Sequence, residues 1–140
     1  MGKYVLCCIM GAAMLTWSLV AQAEGPFDGS KPLLCAAIHA TSCDEESGVC
    51  TSGAPWMVGF PVFMEIDFAT KTASTTRQHV VERTSTIDAV EHLPNNRMSV
   101  QGTDDEYAWS VLISEETGSM TLAVAGEAVG FIVLGACTIR

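Results

Sequence analysis

From Trp56 onward the chain has a period of two. Val62, Met64, Ile66 and Phe68 share one parity and Phe63, Glu65 and Asp67 the other, the period-two signature of a strand with one face buried. Ala69-Thr70-Lys71 then turns the chain into a Thr-rich strand over 72–76, with a weaker strand over 78–83. Further strands are predicted over 87–93, 97–101, 107–114, 119–125 and 129–134. They are separated by Pro94-Asn95-Asn96, Gly102-Thr103-Asp104-Asp105 and Glu115-Glu116-Thr117-Gly118, which carry the residues that turns require. The segment 129–134 is almost unbroken in apolar residues, which places it in the middle of the buried surface.

Before Trp56 the period is different. Ser30 is a candidate N-cap and Pro32 fits a first helical turn, where a missing N–H costs little. Leu33, Leu34, Ala37 and Ile38 then recur at helical spacing, predicting a short α-helix that ends near Thr41-Ser42. Residues 43–50 read as a polar loop with Gly48 at a tight turn. The fold class expected is therefore mainly β, an antiparallel up-and-down meander forming a small barrel or sandwich, with one short N-terminal α-helix over an opening. No internal repeat, low-complexity stretch or linker interrupts it.

Residues 1–23 have the layout of a secretory signal peptide: Lys3, an apolar run from Val5 to Val20, and Ala21-Gln22-Ala23 as an A-x-A cleavage site. The run is shorter than the roughly 20 residues of a membrane-spanning helix. Cys7 and Cys8 lie inside it without the setting of a lipidated cysteine. Residues 24–140 are then one disulfide-bonded β domain, and no other segment is apolar and long enough to span a bilayer. The chain holds seven Lys and Arg against sixteen Asp and Glu, a net charge of −9, and cleavage removes Lys3 but no acid. That balance repels nucleic acid and anionic lipid, leaving neutral ligands, cations and basic proteins as partners.

Cys35, Cys43, Cys50 and Cys137 follow the leader, an even number in a small exported domain. Cys43 and Cys50 bracket the short polar loop and pair naturally, which leaves Cys35 for Cys137. The spacings match neither a C-x-x-C redox pair nor two close pairs for zinc. Bridging Cys35 to Cys137 would fasten the helix to the barrel.

Nothing in the sequence marks catalysis. Asp44-Glu45-Glu46, Asp104-Asp105-Glu106 and Glu115-Glu116 sit at turns as solvated charge and lack the D-x-D-x-D-G spacing of a calcium loop. His39, His79 and His92 are scattered, with no H-x-x-x-H or H-x-H pair, and no G-x-S-x-G elbow or phosphate loop occurs. No metal or cofactor is implied, and a hydrolase is the weakest reading. Trp56, Phe60, Phe63, Phe68, Trp109 and Phe131 are many rings for a small β domain. They pack a filled core or line a pocket, and Phe63, on the face with Glu65 and Asp67, is the best candidate for an exposed contact.

Two segments carry a resemblance: Phe27-Asp28-Gly29-Ser30-Lys31-Pro32-Leu33-Leu34-Cys35-Ala36, and Ala108-Trp109-Ser110 through Thr117-Gly118-Ser119-Met120-Thr121-Leu122 to Gly130-Phe131 and Gly135-Ala136-Cys137. In these the chain resembles a group of small exported proteins of Gram-negative bacteria without assigned activity. The resemblance implies a periplasmic home and supplies no catalytic residues. Two functions compete. One is a barrel that binds a small apolar ligand or a protein partner through Trp56, Phe63, Met64, Ile66, Trp109 and Val111; the other is a filled barrel acting through its surface.

Overall fold

The computed structural model describes residues 25–76 and 82–140. The leader and most of the weak strand over 78–83 lie outside the described residues; Glu82 and Arg83 are not in a strand. Among the described residues nine strands form one antiparallel sheet: β1 (Leu33–Asp44), β2 (Cys50–Gly53), β3 (Phe63–Asp67), β4 (Thr72–Thr75), β5 (Thr84–Leu93), β6 (Arg97–Thr103), β7 (Tyr107–Ser114), β8 (Ser119–Gly126) and β9 (Val129–Ile139). From β3 to β9 each strand pairs with the next, and β9 pairs back along the whole of β1. The result is the expected up-and-down meander, closed as a barrel of eight strands, with β2 as an outlying hairpin strand.

The helix expected over 33–41 is absent, and the long strand β1 stands in its place. Its first half, Leu33 to Ala36, pairs with β3, its second half, Ala40 to Cys43, pairs with β2 on the same edge, and β9 occupies the other edge. Hydrogen bonds on both edges outweigh the modest helical preference of its alanines. A register shift between Ala37 and His39 changes the inward parity, from Leu33, Cys35 and Ala37 to Ala40. Ile38, a core position on a helix, is consequently 68% exposed.

Inward positions on all the long strands build one core, which includes Leu33, Ile66, Met98, Val100, Val111, Ile113, Leu122 and Val133. The apolar run at 129–134 does not lie wholly in buried surface as expected. β9 alternates like its neighbours, so Val133 is buried whereas Ile132 and Leu134 are about half exposed. Tight turns follow local chemistry. Asn95 and Asn96 both adopt positive φ between β5 and β6, and Asp67 Oδ1 accepts the N–H groups of Ala69 and Thr70 after β3.

Both disulfides join residues directly opposite each other on paired strands. Cys35–Cys137 bridges β1 to β9 across the closing seam, and Cys43–Cys50 bridges β1 to β2. The cysteine pairing is the expected one, but it ties the first strand to the last instead of a helix to the barrel. Such bridges belong to a non-reducing environment. Among the described residues no helix is long and apolar enough to cross a membrane.

The two barrel ends differ. One is shut by the segment ahead of β1: the Phe27 N–H donates to the Glu115 carbonyl, Phe27 packs on the core, and Gly29 lies beside Met98 and Phe68. Glu115 at this end is not solvated turn charge as expected; it is buried and pairs with His92 Nδ1 at 2.5 Å. The other end is only partly covered.

Candidate functional site: the barrel mouth

The partly covered end holds a cavity of about 160 Å³. Parity explains its walls. Met64 and Ile66 on β3, Trp109 and Val111 on β7, Met120, Leu122 and Val124 on β8, and Phe131 on β9 alternate inward and face one another. Four of the six residues expected to make contacts, Met64, Ile66, Trp109 and Val111, are thus brought together. Phe63 and Trp56 are not. Phe63 is half-buried on β3, outside the cavity, so it is a poorer exposed contact than its polar neighbours suggest. Trp56 is 64% exposed on a 3₁₀ turn, Pro55–Val58, that bridges β2 to β3.

That turn forms the roof. Gly59 ends it at φ 73°, a conformation that costs glycine little, and the Phe60 N–H donates back to the Pro55 carbonyl. Phe60 is thereby turned inward, 7% exposed, with its ring 5.4 Å from that of Phe131. The two rings cover one side of the opening. Trp56 and Met57 are left on the outer surface of the same turn.

The rim is polar and internally committed. The Arg83 guanidinium lies 5.0 Å from the Tyr107 ring centroid and pairs with Glu106 at 2.5 Å. That carboxylate holds Arg83 protonated further above its ordinary value. Ser85 Oγ donates to Asp104 Oδ2, and Asp104 Oδ1 accepts the N–H groups of Glu106 and Tyr107. Partial burial works to raise the Asp104 pKa, but these backbone N–H groups, the Ser85 hydroxyl and the Arg83 charge outweigh it, and the net shift is downward.

No known protein family, curated protein or solved structure matches this chain. The site is therefore read from its own chemistry. Among the described residues no three His, Cys, Asp or Glu side chains converge as a metal site would require. Of the described residues that line the cavity, Ser85 has a hydroxyl bonded to a carboxylate, and it donates to Asp104 directly without a histidine between. What the arrangement can do is hold a small apolar group between rings, methionines and aliphatic side chains.

Sequence parity identified Met64, Ile66, Trp109 and Val111 in the inner wall but missed Met120, Leu122 and Val124 beside them, and Arg83, Ser85, Asp104, Tyr107 and Thr75 towards the rim. Tyr107 could have been found, because it extends the alternation of Trp109 and Val111 by one step. The other rim residues come from a turn and from strand ends far apart in sequence.

The downward shift at Asp104 has a testable sign. Its folded-state value lies below the unfolded one, so the carboxylate stabilises the rim at neutral pH, and this contribution disappears as pH falls through the folded value. Asp104→Asn keeps the side chain's shape and an acceptor but removes the charge. It is expected to unfold at lower urea than the wild type at pH 7, with the gap closing below about pH 4. A gap of the same size at pH 3 would contradict the electrostatic account.

Proposed function

We propose that this chain is an exported, non-enzymatic β-barrel domain, periplasmic or secreted, that binds a small apolar ligand in the barrel mouth. The observation that carries this reading is the cavity itself, since small barrels are either filled by side chains or retain room for one ligand. Its walls are apolar, and its size matches the void of about 150 Å³ that accepts a benzene-sized molecule in an aliphatic core. A drug-sized ligand needs roughly 300 Å³ or more. The ligand is therefore a compact ring, a short branched chain, or one end of a longer molecule that leaves through the rim. The leader layout and the two disulfides support export.

Native mass spectrometry of protein from an oxidising compartment, with and without added toluene, tests the reading. The expected result is either a co-purified mass lost on denaturation or a one-to-one toluene adduct accompanied by a rise in melting temperature. A bare mass with no effect of toluene would overturn it. One observation favours a second reading, a protein partner gripping the outside of the roof: Trp56 and Met57 are 64% and 68% exposed on adjacent positions.

A further inference from the structure

Trp109 carries the one buried side-chain nitrogen or oxygen atom among the described residues that lacks a hydrogen-bond partner, its indole Nε1. Buried indole N–H groups normally find an acceptor, and an orphan donor destabilises the fold that contains it. Packing does not require this donor, because a phenylalanine ring would fill much of the same space without a polar atom. Trp109 is also held in place. It stands opposite Gly102 on β6, and its Cε2 and Cζ2 atoms lie where a side chain on Gly102 would project.

The same residue is part of the cavity wall. Arg83, Ser85 and Asp104 of the rim differ from it in already having partners: Arg83 pairs with Glu106, and Ser85 and the Glu106 N–H donate to Asp104. Met64 and Met120, unbranched and easily rearranged, line the cavity with it, and a ligand that pairs with the nitrogen must displace whatever side chain covers it.

We infer that the ligand of this cavity is a compact, mainly apolar molecule bearing a hydrogen-bond acceptor, a carbonyl or ether oxygen, that receives the Trp109 Nε1 proton. The inference rests on the cavity-binding reading and narrows it from any apolar molecule to one with a single inward acceptor. A purely apolar molecule would fill the space and leave the donor unpaired. A molecule with its own donor at that point would set two donors against each other.

Acetophenone and α-methylstyrene test this, since they share shape and differ in a carbonyl oxygen against a methylene. Their dissociation constants are measured by titration calorimetry on the wild type and on Trp109→Phe. The ratio of the α-methylstyrene constant to the acetophenone constant is expected to fall about tenfold in the variant, the size of one lost hydrogen bond. A ¹H–¹⁵N spectrum of the wild type gives a readout that does not depend on the variant folding. Acetophenone should move the Trp109 indole N–H resonance downfield and α-methylstyrene should not, while Trp56 serves as an internal reference. Binding of both compounds with the indole resonance moved equally, or with an unchanged ratio in the variant, would overturn the inference and leave the cavity reading standing. Binding of neither would overturn both.

Discussion

Replacing Cys35 and Cys137 together by alanine is expected to lower the unfolding free energy by about 4.7 kcal/mol, and replacing Cys43 and Cys50 by about 2.5 kcal/mol. The difference follows from the chain each bridge closes: the first joins positions 102 apart in sequence and the second positions 7 apart. The longer loop removes more freedom from the unfolded chain, and the entropy scales with the logarithm of its length. Geometry adds to the effect in the same direction. Cys35 and Cys137 are buried at the β1–β9 seam and Cys35 reaches the cavity wall, whereas Cys43 and Cys50 are exposed at the hairpin. Urea unfolding of both double variants under non-reducing conditions measures the two losses. Equal midpoints would show that the seam bridge has no special weight.

The second large effect is expected at Gly102, where alanine should destabilise the protein by about 3 kcal/mol, the upper end of what overpacking costs. A Cβ there would collide with the backbone oxygen of Thr86 and with the Trp109 ring, whose Cε2 atom lies 2.7 Å away. A flexible side chain could step aside, but a neighbouring strand's carbonyl cannot without disturbing the β5–β6 ladder. Displacing the indole would also deform the cavity, so toluene binding should weaken with stability. Gly130 provides the control, since a Cβ there meets nothing closer than the Val124 oxygen at 3.7 Å. Gly130→Ala should unfold within about 0.5 kcal/mol of the wild type. Matching behaviour of the two alanine variants in thermal and urea unfolding would remove the close-packing argument.

Strands β3 and β6 to β9 were legible because each buries one face, so parity alone separates Val111 and Ile113 from Leu112, or Met120 and Leu122 from Thr121. β4, half-buried throughout, was read from its threonines, and β5 starts at Thr84, three residues before its predicted start. β7 ran over the predicted positions, and β9 ran five residues beyond its apolar run because Cys137 and Ile139 keep the inward parity after Gly135. β1 was not legible as a strand. Leu33, Leu34, Ala37 and Ile38 satisfy a helical period, and the register shift at Ala37/His39 breaks the alternation that would have contradicted it. Small alanines are compatible with both periods, and only pairing to partners 30 and 100 residues away, roughly, decides between them. The site divided in the same way. Its inner wall follows from parity within single strands, but which barrel end is shut depends on Phe27 and Phe60 folding over opposite openings. The burial of Glu115 was hidden too, because His92 comes from a strand that is distant in sequence.

Because β1 lies between β3 and β9, the strand that begins the barrel is also the one that ends it. During synthesis from the N-terminus, one edge of β1 can find β2 and β3 early, while the other edge has no partner until positions 129–139 exist. The Cys43–Cys50 bridge can form from a short hairpin at once, but Cys35 must remain a thiol until Cys137 appears, within reach of two other cysteines in the meantime. Local closure of Cys43–Cys50 is thus available before the seam bridge, and it removes both of the cysteines that could otherwise capture Cys35 in the wrong pair.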